Sequence, residues 1–241
     1  MTYREGPTGV RGVVLWQRTT RGGSRILPDG CLDLVWDGRR LIVAGPDTAA
    51  RWHDCEPGLS FVGLRFHHGS GPSLLGLAAS EVCDQSLPLD DVWSARAART
   101  LSEQVADDPV PTLIAWLGDQ AGERALDPFG PRVHAMASRG TPVAAMADRL
   151  GMSERQLHRR SLPVFGYGPR RLARILRLNQ ALDQARAGRS LADVAANCGY
   201  ADQAHLCRDV LALGGTTPTA LLQELGQAGE EIDRVPVGVA H

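Results

Sequence analysis

Two stretches of this chain repeat one pattern of apolar residues, glycine and helix caps, and this repeat constrains the fold most. The first copy reads "VAAMADRLGMSERQLHRR" over residues 143–160, and the second reads "LADVAANCGYADQAHLCRD" over residues 191–209. Positions before the glycine match at an offset of 48, and positions after it match at 49. Each copy therefore predicts two short helices joined by a tight turn at Gly151 or Gly199.

The second helix of each copy begins at a favourable N-cap, Ser153 in the first copy and Asp202 in the second. Leu157 and Leu206 are predicted to anchor these helices inward. The outward side chains are Arg155, His158 and Arg159 in the first copy. In the second copy they are Ala204, Cys207 and Arg208, with Gln203 and His205 at the edges of that face. Such a helix fits the major groove of DNA, where Arg pairs with guanine and Gln with adenine. A solvated basic face is the alternative for one copy alone, and the repetition favours the groove.

A single long helix is predicted between the copies, over residues 168–188. At about 1.5 Å per residue it holds the two outward helices about one DNA turn apart. Arg170 and Arg171, near its start, are predicted to contact phosphate. Arg174 and Arg177 fit a solvated or intramolecular basic face at least as well.

The helix that carries Arg159 is predicted to end early. Pro163 has no backbone N–H and clashes with the preceding turn, so it predicts a helix end near Leu162.

The net charge of −1 hides an asymmetry between the two halves of the chain. Residues 1–130 carry 12 Arg and 17 acidic residues, a net −5, whereas residues 131–241 carry 14 Arg and 10 acidic residues, a net +4. A basic C-terminal half indicates an anion-binding module joined to a different domain. Ordinary variation in surface charge is the alternative.

The N-terminal half is predicted to be an antiparallel β-barrel or sandwich. Its apolar runs "VVLWQR", "CLDLVWD", "RLIVAG" and "LSFVGLRF" are separated by turn residues, and "VWDGRRLIV" predicts a hairpin around Asp37-Gly38. Helical spacing then appears at residues 72–82, 91–106 and 110–120. Leu101, Val105, Leu113 and Trp116 form an apolar set that predicts either a dimer interface or packing against the barrel.

Residues 130 to about 223 resemble the AraC-type DNA-binding domain, in which two helix–turn–helix units are joined by a long helix. The matching text is "VAAMADRLGMSERQLHRR", "FGYGPRRLARILRLNQAL", "LADVAANCGYADQAHLCRDV" and "GTTPTALL". The resemblance implies that the base-contacting residues are Arg155, His158, Arg159, Gln203, Ala204, His205 and Arg208. "LPDGCLDLVWDG", "LIVAGPDT" and "FVGLRF" resemble the sensor half of this family, which implies a cupin-like domain that binds an effector or mediates dimerisation.

The predicted fold class is therefore α+β, with an antiparallel cupin-like N-terminal domain, linker helices and an all-α C-terminal domain. The predicted divisions are a β-rich sensor domain (1–90), a helical connector with a possible dimer contact (91–127), the AraC-type domain (128–225) and a disordered tail (226–241).

A candidate ligand site lies on the strand "LSFVGLRF", where Arg65 shares a face with Phe61 and Gly63. If that face lines the barrel, Arg65 is placed to hold a carboxylate or phosphate, and Trp16, Trp36 and Trp52 are candidate stacking surfaces. A buried pair with Asp or Glu is the alternative for Arg65, and plain core packing is the alternative for each tryptophan.

Metal, cofactor and catalytic sites are not predicted. His67 and His68 are adjacent and point to opposite faces of a strand, so one metal cannot easily take both, and His53 and Cys55 do not complete a metal-cupin arrangement. The five cysteines form no CxxC pair, and no nucleophile elbow or phosphate-binding glycine loop occurs. No apolar run approaches the length of a membrane span, and no signal segment begins the chain, so a cytoplasmic location is expected.

These features predict a non-enzymatic, sequence-specific transcription regulator, an activator or a repressor, that binds double-stranded DNA and responds to a small-molecule effector. RNA polymerase and a second copy of the chain are further candidate partners. The alternatives are a nonspecific architectural DNA-binding protein and, less favoured, a cupin-like enzyme with a helical appendage.

Overall fold

The computed structural model describes residues 2–124 and 126–227 of the 241-residue chain. The strands within these residues are β1 (Thr2–Pro7), β2 (Val13–Thr19), β3 (Ser24–Ile26), β4 (Leu32–Trp36), β5 (Leu41–Ala44), β6 (Arg51–His53), β7 (Ser60–Phe66) and β8 (Ser86–Pro88). Six of them form one antiparallel sheet in the order β1-β2-β7-β4-β5-β8, and β3 and β6 form a separate antiparallel pair. The predicted antiparallel N-terminal domain is confirmed.

The predicted hairpin forms between β4 and β5. Trp36 pairs with Leu41 across the two strands, and Gly38 takes a left-handed conformation at φ +90°. The Asp37 carboxylate accepts hydrogen bonds from the N–H groups of Arg39 and Arg40, each at 2.8 Å. This Asp-Gly turn closes the hairpin and sets its register.

The large sheet buries one face against four helices, α1 (Gly71–Leu75), α2 (Leu89–Val92), α3 (Ala95–Asp107) and α4 (Pro109–Glu123). Leu34, Leu64 and Phe66 point to this side and are fully buried. Leu101, Val105 and Leu113 join the same core, and Trp116 packs against it. Of the two predictions made for these four residues, the structure agrees with packing within their own domain, and the dimer interface stays a prediction.

Two predicted helices are broken in the structure. The segment 72–82 is interrupted at Gly76, whose φ of +70° ends α1, and continues as a 3₁₀ turn at Ala79–Glu81. The segment 91–106 is divided before α3, because Ser94 takes an extended conformation and its side chain accepts a hydrogen bond from the Ala97 N–H. Local capping therefore overrides the helical spacing at both points.

The C-terminal half is helical and has its own apolar core. Its helices are α5 (Phe129–Ser138), α6 (Val143–Arg149), α7 (Glu154–Phe165), α8 (Pro169–Arg186), α9 (Leu191–Asn197), α10 (Gln203–Gly214) and α11 (Pro218–Gln227). The 18 residues of α8 span about 27 Å at about 1.5 Å per residue. Of the predicted disordered tail, residues 228–241 lie outside the described part of the chain.

The prediction that Pro163 ends the first outward helix is wrong, since α7 continues to Phe165. Pro163 lies on the exposed side of the helix, where the carbonyl that loses its partner faces water. Leu157, Ser161 and Phe165 form the buried stripe on the opposite side. Packing of this stripe stabilises the helix beyond Pro163, and Gly166 ends the helix at φ +77°.

Candidate DNA-recognition surface and N-terminal cavity

The first repeat folds into a helix–turn–helix made of α6 and α7. Gly151 forms the turn at φ +66°. Ser153 then starts α7 in a capping box: its hydroxyl accepts a hydrogen bond from the Gln156 N–H, and the Gln156 side chain accepts one from the Ser153 N–H. Leu157 is fully buried, and the predicted base-contacting side chains, Arg155, His158 and Arg159, are exposed.

The second repeat folds in the same way from α9 and α10. Gly199 has a φ of +71°, and the Asp202 carboxylate accepts a hydrogen bond of 2.6 Å from the His205 N–H. Leu206 is buried, and Gln203, Ala204 and Arg208 are exposed. His205 is half-buried instead, because its Nδ1 accepts a 3.3 Å hydrogen bond from the Ala201 N–H and its ring packs edge-on against Tyr200.

An ion-pair cluster fixes the second outward helix on the long helix. The buried Asp209 of α10 accepts hydrogen bonds from Arg174 at 2.5 Å and from Arg177 at 3.2 Å. The Arg177 guanidinium also lies 4.3 Å from the centre of the Tyr200 ring. Arg174 and Arg177 therefore form intramolecular ion pairs, which is one of the two roles that the sequence predicted for them.

A basic groove runs between α7 and the start of α8, lined by Arg155, His158, Arg170, Arg171 and Arg174. Gly168 makes the groove possible, because a side chain there would place Cβ 2.2 Å from the His158 ring. Arg170 is exposed, and its guanidinium is 3.8 Å from the Glu154 carboxylate. Arg171 donates a 3.1 Å hydrogen bond to the Thr48 carbonyl of the N-terminal domain.

A cavity of about 180 Å³ lies between the large sheet and the β3–β6 pair, and we call it the N-terminal cavity. Its lining includes Trp16, Arg18, Ile26, Leu27, Val35, Ile42, Phe61 and Arg65. The indole of Trp16 lies across its strand partner Gly63, where an added Cβ would come within 2.5 Å of the ring. The face predicted from Arg65 and Phe61 is therefore the cavity face.

Arg65 is buried, with 4% of its surface exposed, and it is paired with acidic residues. Its Nε donates to Asp33 at 3.1 Å and lies 3.8 Å from Asp29, while the Trp16 indole N–H donates to Asp33 at 2.9 Å. The alternative interpretation of Arg65, a buried ion pair, holds.

Two of the predicted ligand contacts do not line the cavity. Trp36 is buried on the opposite side of the sheet, in the core shared with the helices, because its strand position faces away from Arg65. Trp52 is 60% exposed and lies against Gly23 on the small sheet. Trp16 and Arg65 remain at the cavity.

Sequence reasoning missed Asp47, a cavity residue within a segment interpreted as a turn. Asp47 is buried, with 5% of its surface exposed, and its Oδ2 accepts a 3.0 Å hydrogen bond from Arg51. Its Oδ1 has no hydrogen-bond partner among the described residues. Burial raises the pKa of this carboxyl to about 6, against the lowering influence of Arg51.

A histidine cluster lies where the two halves of the chain meet. The rings of His68 and His134 are 4.3 Å apart, those of His67 and His68 are 5.7 Å apart, and the Cys31 sulfur is 3.2 Å from His67 Nδ1. Burial lowers the pKa of His67 and of His134 to about 3 each. Within residues 2–124 and 126–227, no group of three or more His, Cys, Asp or Glu side chains is arranged to hold a metal ion.

Two family models match separate parts of the chain. Residues 146–224 match a family described as a helix-turn-helix domain, and residues 13–88 match a domain of unknown function. No curated protein matches the chain. Within residues 2–124 and 126–227, every helix is too short or too polar to cross a lipid bilayer.

Three solved structures illustrate the structural likeness. ToxT from Vibrio cholerae with a bound unsaturated fatty acid is 12% identical, with 91% of this chain and 97% of that chain covered and a TM-score of 0.49. A DNA-binding transcriptional dual regulator from Escherichia coli is 26% identical over 43% of this chain and 97% of that one, with a TM-score of 0.37. A probable AraC family transcriptional regulator from Rhodopseudomonas palustris is 24% identical over 38% and 87%, with a TM-score of 0.33.

The two helix–turn–helix units, each presenting an exposed polar helix face, define a DNA-binding transcription regulator. Its C-terminal region, residues 146–224, belongs to a family of helix-turn-helix domains.

Proposed function

We propose that this protein is a sequence-specific regulator that reads two segments of major groove and responds to a small molecule in the N-terminal cavity. One observation carries the first part: α7 and α10 present exposed polar faces at equivalent positions of a structural repeat, joined by α8. The proposed base contacts are Arg155, His158, Arg159, Gln203, Ala204, His205 and Arg208, and the proposed phosphate contacts are Arg170 and Arg171. Because the partner is DNA, the proposed location is the cytoplasm, and RNA polymerase and a second copy of the chain are further candidate partners.

DNA binding is tested by fluorescence anisotropy with duplexes from the region upstream of the protein's own gene, against random duplex, at several salt concentrations. Preference for one segment by about 10³ or more is expected. Equal, steeply salt-dependent affinity for every duplex contradicts sequence specificity and supports the architectural alternative. Stoichiometric metal in the purified protein would favour the enzyme alternative.

The effector proposal follows from the charges in the N-terminal cavity. Arg65 is paired with Asp33, Arg51 with Asp47, and Arg18 donates to Ser24 at 2.7 Å, so the arginines of the cavity already have partners. The buried Asp47 Oδ1 lacks a hydrogen-bond donor among the described residues. A ligand that donates a hydrogen bond satisfies it, whereas a carboxylate adds a second negative charge. The cavity therefore suits a small, partly apolar molecule with a hydroxyl or amine, stacked near Trp16.

Three probes that share one ring and differ in the head group test this class: phenethylamine, 2-phenylethanol and 3-phenylpropionate. The amine or the alcohol is expected to raise the melting temperature of the wild-type protein. The Asp47→Leu variant, which has a similar volume but no acceptor oxygen, serves as the matched control and is expected to lose that response. Stabilisation by the carboxylate alone, or by none of the three probes, contradicts the proposed effector class.

A further inference from the structure

The segment Gly45–Arg51 touches both the N-terminal cavity and the DNA-binding domain, and its residues divide between the two. Gly45, Asp47 and Arg51 line the cavity. Pro46, Thr48 and Ala50 contact the C-terminal domain. We call this stretch the bridging segment.

The bridging segment reaches three separate helices of the DNA-binding domain. Pro46 lies at the end of α7, where an added Cβ on Gly166 would come within 2.9 Å of its ring. The Thr48 carbonyl accepts a hydrogen bond from Arg171 at the start of α8. The Ala50 N–H donates a 2.6 Å hydrogen bond to the Leu213 carbonyl near the end of α10. Both outward helices and the helix between them are therefore in contact with one short stretch of the sensor domain.

Thr48 is itself held in place from within the N-terminal domain. Its N–H donates to the Asp84 carboxylate at 2.6 Å, and its hydroxyl donates to the other carboxylate oxygen at 2.9 Å. Asp84 itself has a left-handed backbone at φ +59°. This double hydrogen bond fixes the direction of the carbonyl that Arg171 binds.

We propose that the bridging segment restrains DNA binding, with Thr48 holding Arg171 in a latch that competes with a DNA phosphate. This inference rests on the proposed function, because it assigns a phosphate contact to Arg171. The competition follows from geometry: Arg171 stands on the wall of the basic groove beside Arg155 and Arg170, and its Nη1 is already directed to the Thr48 carbonyl. Binding a phosphate with that group requires the latch to open. Asp47, which lines the cavity, immediately precedes Thr48 in the chain, so the cavity and the latch share adjacent residues.

A double-mutant cycle on the full chain tests the latch without a known effector or operator, because phosphate contacts are independent of sequence. The probe is a labelled random-sequence duplex at several salt concentrations. Asp84→Gly removes the clamp on Thr48 and keeps a residue that favours positive φ. It is expected to tighten binding roughly threefold to tenfold, since the opened bond is a single exposed one. Arg171→Ala is expected to weaken binding and to reduce the slope of log K against log salt by about 1.

The decisive result is the cycle. In the Arg171→Ala background, Asp84→Gly should lose most of its effect. The removal of one negative charge also favours DNA, but that general effect persists in both backgrounds and cancels in the cycle. Thr48→Val, which removes one of the two clamp bonds without changing charge, should tighten binding in the same direction to a smaller extent. Melting curves establish that each variant is folded.

An equal gain from Asp84→Gly with and without Arg171 overturns the latch while leaving DNA binding intact. An unchanged salt slope in Arg171→Ala also overturns it, because Arg171 then makes no phosphate contact. Failure of the wild-type protein to bind any duplex is a different result, which contradicts the proposed function itself.

Discussion

The Nε of Arg174 and the Oδ1 of Asp209 lie 2.5 Å apart, and this contact joins the long helix α8 to the second outward helix, α10. Asp209 is buried, and Arg177 approaches its other oxygen at 3.2 Å. One buried carboxylate therefore holds α10 against α8 through two arginines.

Replacing Asp209 with Ala is expected to lower the free energy of unfolding by about 2 kcal/mol, because two arginines lose their acceptor beside a buried surface. The partial exposure of both arginines places the loss below that of a fully buried pair. Urea denaturation measures it. Asp183→Ala, which removes an exposed carboxylate from α8, is the control and should change stability little.

Replacing Arg65 with Met is expected to destabilise the N-terminal domain by about 3 to 5 kcal/mol, because Asp33 is left buried and without its charged partner. The double variant Arg65→Met with Asp33→Leu should recover much of this loss, since no unpaired charge remains. Chemical denaturation of both variants gives the comparison. A single variant as stable as the wild type would show that the ion pair contributes nothing.

Arg159→Ala or Arg208→Ala is expected to cost roughly 1 to 3 kcal/mol on a preferred DNA site and to relax the base preference there. Titrations against the preferred and the random duplex separate the two effects. Arg189→Ala, in the exposed turn between α8 and α9, removes an equal charge and is the control. If binding falls equally on both duplexes, the arginine contacts phosphate rather than a base.

Acidification is expected to destabilise the protein as pH falls below about 6.5. His67 and His134 have pKa values lowered to about 3 by burial, so between pH 6.5 and 3 the folded state binds fewer protons than the unfolded chain. Asp47 acts oppositely, since its pKa is raised from 3.8 to about 6 and its contribution is lost as pH rises through that window. The two histidines together are expected to change the free energy of unfolding more than the single Asp47 carboxyl does, so the net effect of acidification is destabilising.

The His134→Gln variant should therefore show a shallower pH dependence, by about 1.4 kcal/mol per pH unit at most. Denaturation at pH 7, 6 and 5 provides the slopes. An identical slope in the variant would mean that His134 is not the group whose protonation opposes folding.

The helix–turn–helix units were predictable because their signals are local. Gly151, Ser153 and Leu157 stand a few residues apart, and each fixes its own turn, cap or buried contact. The long helix and the Asp37-Gly38 hairpin have equally local signals. The prediction from Pro163 was wrong because it also used only a local signal. The buried stripe that stabilises α7 beyond Pro163 packs against residues that are distant in the sequence.

The cavity was harder to predict because its contacts join distant positions. Alternation along β7 placed Arg65 on the correct face, but its partner Asp33 lies 32 residues away. The sequence around Trp16, Trp36 and Trp52 does not distinguish their environments. Strand register places Trp16 at the cavity and Trp36 in the core, and a position on the small sheet leaves Trp52 exposed. Asp47 carried no signal, since its "GPD" context is that of any turn.

The contacts between the halves also bear on how hybrid regulators can be built from this chain. Arg25 of the small sheet pairs with Glu224 of α11 at 2.8 Å and donates to the Gly214 carbonyl at the end of α10. A fusion made in the stretch after α4 would exchange the N-terminal domain but leave these contacts unmatched. A transplanted N-terminal domain therefore needs Arg25 and the bridging segment grafted with it, so the boundary for domain exchange lies in a set of surfaces rather than at one position in the sequence.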